Sequence, residues 1–186
     1  MNYLQYKNIG ITGNIGFGKT FFAQQIKNSN PQFSIYEIDD IRRLLLWQSK
    51  DVLAIELRNK MIEKFSLDMT EKAFIHFREQ FTQIIFKNQK NLHLFNQIAT
   101  PYFKQYLLQK LQLSKHSLIV WSRLVEDDYL DLINYVIILN PHQKTWKIRN
   151  SHQLDMISSR LQLQDSIEYK IQLLNQTSIP YEVICE

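Results

Sequence analysis

Three of the chain's four glycines lie between Gly13 and Gly18, inside the run Gly13-Asn14-Ile15-Gly16-Phe17-Gly18-Lys19-Thr20. The run fits the pattern G-x-x-x-x-G-K-[ST], and its surroundings fit as well. Residues 6–12 enter it as a short apolar strand, and residues 19–28 leave it as a helix with Phe22, Ala23 and Ile26 near helical spacing. A strand, a glycine-rich turn and a helix in that order restrict the chain more than any other feature. They place the turn at the carboxyl end of a strand, where open α/β sheets have their crevice.

The rest of the chain supplies such a sheet. Residues 33–39 read as a second strand that ends at Asp39-Asp40, and residues 117–122 and 135–140 as strands buried on both faces. Residues 181–185 close the set. Between them lie helical patterns over roughly 41–49, 51–65 and 71–86. A longer one carries Leu92, Phe95, Ile98, Phe103, Leu107 and Leu111, and Pro101 is expected to kink or interrupt it. A short helix at 142–149, a polar segment and a helix at 158–175 complete the alternation. The expected fold is α/β, three-layered, with a mostly parallel five-stranded sheet.

Bulk properties remove several classes. Hydrophobic content of 45% with 22% charge excludes a disordered chain, and 186 residues suffice for one domain with a full core. The only cysteine, Cys185, permits no internal disulfide, and the five histidines show no ligand spacing. No apolar run approaches the roughly 20 residues that span a bilayer. A net charge of +4 without a basic stripe speaks against nucleic-acid binding. The N-terminus runs almost directly into a strand, so the expectation is a cytoplasmic protein, monomeric or weakly homo-oligomeric.

The loop chemistry follows from its residue types. Glycines let successive backbone N–H groups turn inward around phosphate oxygens, and the helix behind them adds partial positive charge. Lys19 would neutralise charge between the β- and γ-phosphates of ATP, and the Thr20 hydroxyl would ligate Mg²⁺. Gly13, Asn14, Ile15, Gly16, Phe17, Gly18, Lys19 and Thr20 are therefore the candidate ATP-binding residues. Phe17 either faces solvent or lies over a base. Trp47, Trp121 and Trp146 read as packing residues, with Trp146 the one placed to touch the adenine. A hydroxyl acceptor needs a carboxylate to orient it and take its proton. Glu37, Asp39 and Asp40 fall near the loop; Glu37 and Asp39 alternate on one strand face, and one of the two aspartates is expected to cap the helix that follows. Glu126-Asp127-Asp128 reads as a solvated acidic turn, although Glu126 could face the crevice.

The order of "ITGNIGFGKT", "EIDDIRR" and "FREQFTQIIFKNQKNLHLFNQIATP" resembles bacterial dephospho-coenzyme A kinases. That family shows T-G-G-I-G-S-G-K-S, then D-A-D-x-I-A-R, then a helical R-x-x-L-x-x-x-[IV]-F with an H-P pair fifteen residues on. Arg78, Phe81, Ile85 and Phe86 fit the third motif, and Pro101 lies fifteen residues past Phe86. "WSRLVE" and "RLQLQ" match later family segments at Leu124, Glu126, Arg160 and Gln164.

The resemblance implies transfer of the γ-phosphoryl of ATP to the ribose 3′-hydroxyl of dephospho-coenzyme A, the last step of coenzyme A synthesis. It makes Asp39 the carboxylate facing that hydroxyl. Thr12, Glu37, Arg43 and Arg78 become acceptor-binding candidates, with a helical acceptor-binding region over about 51–113. A lid at about 147–158 would bring Arg149 or Lys147 over the phosphates, and Arg149 is the catalytic candidate. The chain departs from the family pattern at Thr100, Ser122, Arg123 and in the lid. A kinase for another nucleoside or nucleotide, or a catalytically weak nucleotide-binding protein, are the rival readings.

Overall fold

The computed structural model describes residues 2–66, 81–85, 87–142, 146 and 164–185. Among these, five strands form one sheet: β1 (Asn8–Thr12), β2 (Phe33–Glu37), β3 (His116–Val120), β4 (Tyr135–Leu139) and β5 (Tyr181–Ile184). Their order is β2-β3-β1-β4-β5, and every pairing is parallel. Gly10 lies opposite Ile119 on one side and Val136 on the other. The order accounts for each strand's composition. β4, an inner strand, is buried along its whole length, whereas the edge strands β2 and β5 are mostly half-exposed. Inner parallel strands are covered on both faces and so carry apolar residues at successive positions.

The chain forms two compact units, one of Met1–Asp39 with Leu108–Glu186 and one of Asp40–Leu107. In the sheet unit, α1 (Lys19–Ser29) sets Ala23 and Ile26 against Ile9, Ile11, Phe33, Leu118, Val120 and Ile137. Each large side chain buried there stabilises the fold by about 1.5–3 kcal/mol relative to exposure. A Cβ on Gly10 would meet the Leu124 and Ile133 side chains, which shows how closely they approach β1. α5 (Ile167–Leu174) buries Ile167, Lys170 and Leu174 at helical spacing.

In the helical unit, α2 (Ile38–Arg43) runs into a π-helical turn at Leu44–Gln48, which buries Leu45 and Leu46. α3 (Val52–Phe65) buries Ala54, Leu57 and Met61, and Arg58 donates to the Leu45 carbonyl at 2.9 Å. Phe81 stands edge-on to Trp47, Phe65 and Phe95, a geometry that aromatic quadrupoles favour. The Arg42 guanidinium lies over the Phe95 and Phe103 rings at 5.4 and 5.6 Å.

Several expected boundaries move. β2 stops at Glu37 and helix begins at Ile38, so Asp39 and Asp40 lie inside α2 and neither precedes it as a cap. The expected strand alternation of Glu37 and Asp39 is replaced by helical geometry. α4 (Gln89–Gln112) continues through Pro101 without interruption. Pro101 is exposed, while Phe95, Ala99, Phe103, Leu107 and Leu111 form a buried stripe that spans it and outweighs the lost hydrogen bond. Of the helix expected over 158–175, residues 158–163 lie outside the described residues; Ile167–Leu174 is helical, with Ser166 as its cap accepting from the Tyr169 amide at 3.2 Å. Residues 81–85 are helical, and Trp146 N–H bonds the His142 carbonyl at 3.0 Å. No described helix is long and apolar enough to cross a membrane.

Candidate active site

The loop after β1 needs glycine at defined points. Gly13 has φ 131°, and a Cβ there would lie 2.5 Å from the Leu139 carbonyl oxygen. Gly18, at φ 82°, opens α1, and no side chain among the described residues caps the helix. The first amides of this eleven-residue helix stand at its N-terminus, the end where a helix favours negative charge. Lys19 folds back so that its Nζ donates to the Asn14 carbonyl at 3.0 Å, which also accepts from the Phe17 amide at 3.2 Å. Burial pushes the Lys19 ammonium down to about 8. The Asp39 charge opposes that shift, Lys170 adds to it, and Glu37 opposes it again. The side-chain oxygen of Asn14 is buried with no hydrogen-bond partner among the described residues.

Thr20 is exposed at the first turn of α1, and its hydroxyl donates to Glu37 Oε2 at 3.0 Å. The hydroxyl and the carboxylate are hard oxygen donors of the kind Mg²⁺ takes. Asp39 is exposed two residues beyond Glu37, and its charge acts on Lys19. Arg43 is exposed and pairs with Asp40 at 2.9 Å. Thr12 is fully buried at the end of β1, where its hydroxyl donates to the Ser122 carbonyl at 3.2 Å. Arg78, Lys147 and Arg149 lie outside the described residues.

A second group of residues meets the loop from far along the chain. Gln164 Oε1 accepts from the Ile15 amide at 2.7 Å, and its Nε2 donates to Ser122 Oγ at 3.2 Å. Trp146, buried, directs its indole N–H at the Ile15 carbonyl at 3.4 Å. The Ser122 carbonyl also accepts from Lys170 Nζ at 2.8 Å, and Lys170 pairs with Glu126. The acidic turn is therefore solvated only at Asp128, which is exposed. Glu126 faces Lys170 inside the protein, while Asp127 accepts from Trp121 Nε1 at 3.1 Å and Arg123 Nε at 3.0 Å. Arg123 also reaches Asp165 at 3.1 Å.

Sequence reasoning put Lys19, Thr20, Glu37 and Asp39 near one another, and the structure brings these four together. It missed Lys170 as a buried cation. The signal was available: Lys170 sits three residues after Ile167 and four before Leu174, on the apolar face of its helix. Beside the loop, Phe17, Phe21, Phe22, Leu139, Pro141 and Ile184 line an open hollow.

Residues 7–178 match the family model described as dephospho-CoA kinase. The fold is similar to a Thermus thermophilus protein, TT1252, with a TM-score of 0.69 and 14% identity over 96% of this chain and 88% of that one. It is also similar to the dephospho-CoA kinase of Campylobacter jejuni, with a TM-score of 0.58 and 22% identity over 96% of this chain and 87% of that one. A comparison with curated proteins finds none that matches. The family match takes in every element from β1 to α5, so the chain belongs to the dephospho-CoA kinase family.

Proposed function

We propose that the loop binds ATP and that the chain transfers its γ-phosphoryl group to the ribose 3′-hydroxyl of dephospho-coenzyme A, the step that completes coenzyme A. The observation that carries this is the grouping at the loop: Thr20 bonded to Glu37, and Lys19 under the charge of Asp39 and Glu37. On this reading the amides of the loop and of the α1 N-terminus hold the phosphates, and Lys19 leaves the Asn14 carbonyl to meet them. On this reading the open hollow beside Phe17 takes the base, for which the Phe17, Phe21 and Phe22 rings in its lining offer stacking faces. Trp146 serves packing of the loop, in keeping with its burial.

Asp39 orients the acceptor hydroxyl and takes its proton as the new oxygen–phosphorus bond forms. The bond from the γ-phosphorus to the β–γ bridging oxygen breaks, and ADP leaves with that electron pair. Thr20 and Glu37 would hold Mg²⁺, which when bound would supply charge neutralisation at the β- and γ-phosphates. Thr12 supports the loop from below. Arg43 and Arg78 are proposed acceptor contacts, and Arg149 or Lys147 a clamp on the transferring group. A cytoplasmic, monomeric or weakly self-associating enzyme belongs to the same proposal.

One coupled assay tests it. With ATP and Mg²⁺, ADP should appear when dephospho-coenzyme A is offered and not with adenosine or common nucleoside monophosphates. Turnover of one of those instead would overturn the acceptor, and failure to bind ATP would overturn the nucleotide.

A further inference from the structure

We propose that Gln164 is a positioning residue for the phosphate loop, holding the Ile15 peptide in place before a nucleotide arrives. The proposal rests on the loop's reading as an ATP site. Ile15 stands between two residues of positive φ, Gly13 at 131° and Gly16 at 76°, which by themselves leave this part of the chain with wide conformational freedom. Yet both of its backbone groups are taken by side chains remote in sequence. Its N–H donates to Gln164 Oε1 at 2.7 Å, and its carbonyl accepts from Trp146 Nε1 at 3.4 Å.

Gln164 is itself held at both ends. Its Nε2 donates to Ser122 Oγ at 3.2 Å. Its chain neighbour Asp165 is paired with Arg123 at 3.1 Å, and Ser166 caps α5 next to it. Ser122 in turn is fixed through its carbonyl, which accepts from the buried Thr12 hydroxyl and from the fully buried Lys170. The carboxamide is well suited to this place. It offers an acceptor to the loop and a donor to Ser122, without adding a negative charge beside a phosphate site. Fixing the loop in advance removes an ordering step from binding, so the benefit should be felt by the phosphates and not by the base.

The test uses the full-length protein with Gln164→Met, which keeps length and removes both hydrogen bonds. In the nucleotide-free protein, hydrogen exchange at the Ile15 amide should speed up. ATP affinity by titration calorimetry should fall about tenfold, while adenosine affinity stays at the wild-type value. In turnover, KM for ATP should rise and KM for the acceptor should not. Ser122→Ala removes only the partner of the Gln164 amide, and should weaken ATP binding in the same direction by a smaller factor. Unchanged ATP affinity in either variant, or an equal loss for ATP and adenosine, overturns the proposal. If the wild-type protein does not bind ATP, the nucleotide reading falls and this proposal falls with it, whereas wild-type binding with an indifferent Gln164→Met variant sinks this proposal alone.

Discussion

Lys170 and Glu126 form an ion pair shut away from water, their side chains 0% and 4% exposed. The lysine is further held by the Ser122 carbonyl, while Glu126 Oε2 is buried without a partner among the described residues. The pair lies directly behind the turn that carries Ser122, and through it behind the phosphate loop.

A pair of this kind is asymmetric in its energetics. Removing one partner leaves a buried charge and costs about 3–5 kcal/mol, whereas replacing both by apolar groups can be nearly neutral. Lys170→Met should therefore lower the urea midpoint severely, and Lys170→Met with Glu126→Leu should recover most of it. A double variant as unstable as the single one would show that the ion pair itself, and not the orphaned charge, holds this corner.

The depressed Lys19 titration gives a pH dependence. Its value in the folded protein is about 8 against 10.5 for the ordinary lysine, with burial as the first cause. Between those values the unfolded chain holds more protons, so this group's contribution to stability grows as pH rises through that window. ATP acts the other way, because phosphates favour the ammonium. Above pH 8, ATP binding should take up a proton and weaken as pH rises. Titration calorimetry in two buffers of different ionisation enthalpy measures the uptake, and Lys19→Met should abolish it along with most of the affinity.

Asp39→Asn keeps shape and hydrogen-bonding reach but removes the proton acceptor. The expected result is a fall in kcat of roughly 10²-fold with a small change in ATP affinity. Normal turnover would assign the base elsewhere, with Glu37 and Asp40 the next to test.

Gly13→Ala and Gly10→Ala separate two reasons for glycine. At Gly13 the new Cβ meets a backbone oxygen at 2.5 Å in a conformation that L-residues rarely adopt. At Gly10 it meets only the ends of the Leu124 and Ile133 side chains, which can shift. Thermal or urea unfolding should show a loss of at least about 2 kcal/mol at Gly13 and a smaller one at Gly10. Equal losses would mean that the Leu139 carbonyl yields as easily as a side chain.

The loop, the strand before it and the helix after it were legible because each is written in consecutive residues. Glycine positions, apolar runs and helical spacing act over a few residues, so Gly13 to Thr20 mark a turn, and Ile9, Ile11 and Ile26 the buried faces of the strand and helix beside it, locally. The same locality misled at the boundaries. Pro101 reads as an interruption, but the buried stripe from Phe95 to Leu111 keeps α4 whole. Asp39 reads as a strand end, but the chain has already turned helical at Ile38.

What only the tertiary structure decided is pairing across distance. The strand order β2-β3-β1-β4-β5 brings the turn after β3 alongside the end of β1, and that juxtaposition creates the contacts of Ser122 with Thr12 and Gln164. Glu126 could pass for a surface acid until Lys170, far along the chain, was found facing it. A charge inside a protein is tolerable only when its partner is there too, and no pattern of neighbouring residues can say which distant one that will be.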